Sequence, residues 1–163
     1  MKLIPLEKAD WKAFIADCQR SFSLAVSEED VATELIPSTA DLLQSLEHPQ
    51  VQAFYIYDGD TCVGGATIQI TPNQHNHLDF FFIKTDFIGQ GYGSQAWRTI
   101  ETTFPETKVW ETVTPYFEKR NIAFYLKNCG FKIVDIFPFG DNVNEMMFQF
   151  EKVMPQISRK SKN

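Results

Sequence analysis

Ile88-Gly89-Gln90-Gly91-Tyr92-Gly93-Ser94 packs three of the chain's eight glycines into five positions. The stretch follows an apolar run at 77–83 (HLDFFFI). It precedes an amphipathic segment from about 92 to 104, where Ala96, Trp97, Ile100 and Phe104 mark one stripe. The local reading is strand, glycine loop, helix. Glycine lets a backbone take positive φ and come close to a ligand. The first N–H groups of the following helix have no helical partner, and with the helix dipole they form an anion site. A pyrophosphate is the natural guest. No Lys follows the glycines as a phosphate-binding P-loop requires, and Ser94 stands where a dinucleotide fingerprint needs its third glycine. A ligand-free turn is the alternative, but it sets the entropy cost of three glycines against no packing gain.

Outward from this loop the periodicity defines the remaining elements. Residues 51–57 and 61–70, joined by Asp58-Gly59-Asp60, read as strands and form an antiparallel meander with 77–83. Residues 2–6 read as a first short strand. Asp10 is the expected N-cap of a helix carrying Trp11, Phe14, Ile15, Cys18 and Phe22. A second short helix is expected from Ser27 to the stop at Pro37, and a third over 40–47. Beyond Pro105, residues 107–113 read as a strand. A helix over 117–128 carries Ile122, Tyr125, Leu126 and Cys129 on one side, with Gly130 as C-cap. Residues 131–137 and 143–152 read as a closing hairpin across Gly140-Asp141-Asn142. The fold class is α/β, a mixed and mostly antiparallel sheet flanked by helices. Its one expected parallel pair is joined by the helix that follows the glycines.

The 163 residues suit a single domain, 1–163, ending in a disordered basic tail at about 156–163 that carries Arg159, Lys160 and Lys162. A net charge of −6 argues against a nucleic-acid partner. Cys18, Cys62 and Cys129 form no CxxC pair and point to a reduced compartment. The start MKLIPLEKAD lacks the apolar core of a signal peptide, and no segment reaches the ~20 apolar residues of a membrane span. The expectation is a cytoplasmic protein without a membrane partner. His75 and His77 are spaced H-x-H in what reads as a polar loop, without a third ligand nearby, so no metal is expected.

The glycine run after Phe82-Ile83 resembles the acetyl-CoA signature of the GCN5-related N-acetyltransferases (GNAT), Arg/Gln-x-x-Gly-x-Gly/Ala after the fourth strand. The run Asn121-Ile122-Ala123-Phe124-Tyr125-Leu126-Lys127-Asn128-Cys129-Gly130-Phe131 resembles the family's second signature. The two blocks occur in the family's order and at its spacing. One position departs: Ile88 stands where Arg or Gln is usual. The cradle then rests on backbone N–H groups, with Lys84, Arg98 and Lys127 as candidate compensating cations.

The resemblance implies a GNAT-like fold and direct transfer of an acetyl group from acetyl-CoA, as co-substrate, to a primary amine. It assigns CoA binding to Phe81, Phe82 and Ile83, which hold the pantetheine like an added strand. It also assigns binding to Gly89, Gln90, Gly91, Tyr92, Gly93, Ser94, Asn121 and Tyr125. Tyr125 is the implied acid for the leaving thiolate, and Asp79 or Glu111 the candidate base. No covalent enzyme intermediate is implied, and Cys129 reads as a buried small hydrophobe.

The regions that hold the acceptor in this family carry Asp17, Glu28, Glu29, Asp30, Glu34, Glu111 and Glu118, which suits a cationic amine such as a polyamine, an aminoglycoside or a Lys side chain. Trp11, Phe22, Tyr116 and Phe117 are candidate pocket aromatics. The resemblance also suggests a homodimer. A non-catalytic acyl-CoA sensor with the same fold is the alternative.

Overall fold

In the computed structural model, which describes residues 1–29 and 36–156, the strands join in one sheet. They are β1 (Lys2–Pro5), β2 (Val51–Asp58), β3 (Thr61–Gln69), β4 (His75–Ile83), β5 (Val109–Pro115), β6 (Lys132–Phe139) and β7 (Asn142–Val153). Their spatial order is β1-β2-β3-β4-β5-β7-β6. The meander β2-β3-β4 is antiparallel and β4-β5 is the parallel pair, as the periodicity implies. The helices are α1 (Trp11–Glu29), α2 (Thr39–Glu47), α3 (Tyr92–Thr103) and α4 (Lys119–Phe124), the last continuing into a π-helical turn at Tyr125–Cys129. Among the described residues no helix is long and apolar enough to cross a membrane.

Two interior glycines let the layers close. On β3, a Cβ at Gly64 would run into the carbonyl oxygen of Phe82, and one at Gly65 into the ring of Phe14. Helix α1 can therefore press on the sheet, and Phe14 meets Phe82 edge-on with ring centroids 5.2 Å apart. Phe14, Cys18, Leu42 and Phe82 form the core on this face. On the other face, α3 and α4 cover Trp97, Ile100, Trp110, Tyr125 and Phe150. Burying these side chains drives both layers.

Two irregularities shape the middle of the sheet. Ile68 pairs with Leu78 and Thr67 with Phe80, so Asp79 is the extra residue of a β-bulge. Pairing between β4 and β5 covers only His75↔Val109, Asn76↔Trp110 and His77↔Glu111. Beyond that point the two strands part.

Several boundaries differ from expectation. Asp10 does not cap α1; it ends a 3₁₀ turn (Lys8–Asp10), with its N–H donating to the Glu7 carbonyl at 2.9 Å. No separate helix starts at Ser27, because α1 runs on through Glu29. The apolar spacing Phe14, Cys18, Phe22 continues to Val26, which is buried against Phe117. The remainder of that expected helix, residues 30–35, lies outside the described residues, as does the basic tail from residue 157. Helix α2 gains a capping box: the Ser38 hydroxyl accepts from the Asp41 N–H at 3.0 Å and the Asp41 carboxylate from the Ser38 N–H at 3.2 Å. His75 and His77 lie on β4 rather than in a loop, because the strand starts earlier than its apolar run.

Candidate active site

Where β4 and β5 part, a cavity of about 450 Å³ opens. Phe22 and Ala25 of α1 line it from one face of the sheet, and Phe124, Tyr125 and Asn128 from the other. The gap between the strands therefore connects the two faces. Phe81, Phe82 and Ile83 form its β4 wall. The Ile83 carbonyl accepts from the Ser21 hydroxyl at 3.0 Å, so that acceptor is already engaged.

The glycine loop forms the opposite rim. Gly89 has φ 80° and Gly91 φ 85°, values that disfavour any side chain. Gly91 is the N-cap of α3 and offers no side-chain cap, so the α3 N–H groups face the cavity without one. A Cβ at Gly89 or Gly91 would meet nothing within 4 Å. These positions are thus glycine for backbone conformation and for open space in front of the helix. Gly93 has a different reason: a Cβ there would stand 3.2 Å from the Phe124 ring. Tyr92, Ser94 and Asn121 also line the cavity, and Ser94 Oγ accepts from Asn128 Nδ2 at 3.0 Å. Gln90 is the one expected binding residue that does not line it; its amide donates to the Asp86 carbonyl at 3.0 Å.

Tyr125 opens the π-helical turn, a local widening that recurs at functional sites. Its N-terminal neighbour Phe124 lines the cavity too, and Phe131 and Phe150 pack on its ring at 5.4 and 5.5 Å. Burial pushes the phenol pKa up, the Cys129 thiol adds to the rise, and a side-chain hydrogen bond with Thr112 opposes it. The phenol therefore holds its proton at any physiological pH. Burial also pushes the Cys129 thiol up to about 12, which makes it a poor nucleophile.

Asp79 and Glu111 are not among the residues lining this cavity. Asp79 accepts from the Ser45 hydroxyl of α2 at 2.6 Å and meets His77 Nδ1 at 2.9 Å. Glu111 pairs in register with His77. Trp110 and Thr112 point to the α3 face, so Glu111 between them points to the α1/α2 face.

The candidate cations are placed elsewhere. Lys84 pairs with Asp17 at 3.5 Å, Arg98 Nε donates to the Ser94 carbonyl at 3.3 Å, and Lys127 is exposed; none lines the cavity. Lys119 and Arg120, at the start of α4, do line it. So does Glu118, which is only 5% exposed. The Pro115 carbonyl turn that places these three is not a sequence motif, although their block precedes Asn121 directly. Of the expected aromatics, Phe22 and Phe117 line the cavity, whereas Trp11 and Tyr116 do not. Of the expected acidic mouth, Glu118 is present and Asp17 is not; Asp30 and Glu34 lie outside the described residues.

The acetyltransferase (GNAT) family model matches residues 11–131. The chain belongs to this family. Protein YrkN of Bacillus subtilis (strain 168) is 40% identical over 134 residues, 80% of this chain and 72% of its own. The ribosomal-protein-S18-alanine N-acetyltransferase from Escherichia coli superposes with a TM-score of 0.74 at 14% identity, over 98% of this chain and 97% of its own. The PaiA N-acetyltransferase from Thermoplasma acidophilum, solved in complex with coenzyme A, superposes at 0.71 with 16% identity, over 94% of this chain and 98% of its own. These likenesses show a GNAT fold, and the family makes acyl transfer the general chemistry.

Proposed function

We propose that the cavity binds acetyl-CoA and that the chain transfers its acetyl group to a primary amine by direct attack in a ternary complex. The observation that carries this reading is the glycine-ended N-terminus of α3, which opens onto a cavity that Tyr125 also lines. The glycines fit a pyrophosphate, since space lies open in front of both positive-φ positions. Acetyl-CoA supplies the activated thioester. The residues of the chain then have separate tasks. Gly89, Gly91, Tyr92, Gly93 and Ser94 present N–H groups to the phosphates, with Lys119 and Arg120 at the rim. Residues 81–83 hold the pantetheine arm along β4. Asn121 orders the arm or a water beside it. Tyr125 keeps its proton through burial and gives it to the departing sulfur. The amine gives up its proton through water toward Asp79 or Glu111, which stand behind the cavity wall rather than in it. A cationic acceptor is favoured by Glu118 at the cavity wall, and the cytoplasm, where acetyl-CoA is available, is the expected compartment.

A second reading is a non-catalytic acyl-CoA sensor, favoured by Ile88, an apolar side chain lining the cavity where the family carries Arg or Gln. Amine-dependent release of the CoA thiol separates the two. Spermidine, an aminoglycoside and a lysine peptide are the probes. Release above the amine-free rate with any of them supports transfer; acetyl-CoA binding with no release supports the sensor.

A further inference from the structure

Glu118 is a cavity group with no task in the bond-making step itself. It is 5% exposed and, among the described residues, it is the one carboxylate that lines the cavity. It precedes α4 as the N-cap residue, yet its side chain does not cap that helix. Capping therefore does not account for a carboxylate at this position. A wall that water barely reaches makes its attraction for a cation stronger than at a surface. After burial and the Cys129 thiol, the Glu118 charge is a further cause that pushes the Tyr125 phenol pKa up, so its field reaches the group that protonates the sulfur.

Helix spacing sets Glu118 apart from the reacting centre. Glu118, Asn121 and Tyr125 fall at i, i+3 and i+7 on one helix face, and all three line the cavity. Seven residues at a rise of about 1.5 Å put Glu118 roughly 10 Å from Tyr125 along the axis. The attacking nitrogen sits at the thioester beside Tyr125 and must be uncharged. A carboxylate that far away suits a different nitrogen, one that stays protonated. Phe22, Phe117 and Phe124 also line the cavity and offer methylene carbons an apolar wall. The cavity of about 450 Å³ must hold the pantetheine arm as well, which favours a slender acceptor over the several rings of an aminoglycoside. A lysine side chain in a peptide brings one nitrogen and leaves Glu118 facing an uncharged backbone. Lys119 and Arg120, which line the cavity too, serve the phosphates.

We infer that the acceptor is an unbranched aliphatic diamine or longer polyamine, and that Glu118 is its specificity-determining residue, pairing with the protonated nitrogen at the far end of the alkyl chain. This deepens the N-acetyltransferase reading and rests on it. The uncharged nitrogen bonds to the acetyl carbon as the carbon–sulfur bond breaks. Water takes the proton that this nitrogen loses, Tyr125 gives its proton to the sulfur, and water returns one to the phenolate. The products are a mono-acetylated diamine and CoA thiol. Acetylation removes the charge from one end only, so Glu118 keeps its partner until the product leaves.

The test measures CoA release by the full chain with putrescine and cadaverine against butylamine and pentylamine, the monoamines of equal length. Wild type is expected to favour the diamine over its monoamine at least about 30-fold in kcat/KM, the effect of one desolvated charge pair. Glu118→Gln is expected to bring that ratio close to one, chiefly by raising the KM for the diamine, with the thermal melt as the check on folding. Glu118→Asp keeps the charge but draws it back by one methylene, so it is expected to retain the preference for diamines and to shift it from putrescine toward cadaverine; this variant carries the test if Glu118→Gln does not fold. Equal kcat/KM for diamine and monoamine in wild type, an unchanged ratio in Glu118→Gln, or turnover of only an aminoglycoside or a lysine peptide overturns the inference while leaving acetyl transfer intact. Acetyl-CoA binding without turnover of any amine by wild type overturns the parent reading, and the role of Glu118 with it.

Discussion

Thr112 ties β5 to Leu78 of strand β4 where the two strands part: its hydroxyl donates to the Leu78 carbonyl at 3.0 Å. Tyr125 lies in the core on the same face, with Phe131 and Phe150 packed on its ring. Tyr125→Phe removes the proton donor and keeps the ring. We expect kcat to fall about 100-fold or more with acetyl-CoA affinity unchanged, as read by steady-state kinetics and calorimetry. Equal turnover would remove Tyr125 from the acid role.

Burial raises the pKa of Tyr125 and of Cys18, whose ordinary values are 10.0 and 9.0. A group that holds its proton more tightly when folded adds stability that is complete below its unfolded pKa. That stability is lost as pH rises toward the folded value. The chain should therefore lose stability from about pH 9 upward, by up to ~1.4 kcal/mol per pH unit for each group. Urea midpoints at neutral pH and at about pH 10 measure this; no decline would contradict the burial argument.

Gly64→Ala tests the close approach of β3 to β4. Its Cβ would meet the backbone carbonyl of Phe82, which has no rotamer with which to yield. We expect a loss of about 2 kcal/mol or more in urea unfolding, from overpacking. Ser38→Ala gives a contrasting, smaller loss of about 1 kcal/mol by removing the α2 cap, without affecting acetyl-CoA affinity.

Some of this was legible in the residues and some was not, and the division follows the range of the interactions. The glycine loop and the Asn121 block are contiguous, so their chemistry reads locally. The meander and its hairpin partners follow from period-two alternation. The bulge at Asp79 does not, because it exists only in the register of β4 against β3. The Ser45–Asp79–His77 chain joins α2 to β4 across the fold, and neither end signals the other in sequence. The continuation of α1 past Ser27 likewise depends on Val26 packing against Phe117, far along the chain. Among the cations, Lys84 and Arg98 were plausible by proximity in sequence, but Asp17 and the Ser94 carbonyl hold them elsewhere.

The central claim is that the positive-φ glycines at the start of α3 hold acetyl-CoA. Calorimetric titration of acetyl-CoA into wild type and Gly91→Ala tests it most directly. An alanine at φ 85° costs about 1 kcal/mol or more of backbone strain and draws the loop out of its cradle geometry. The account predicts one site per chain in wild type and clearly weaker binding in a still-folded Gly91→Ala. No binding to wild type, or equal affinity in the two proteins, would contradict it.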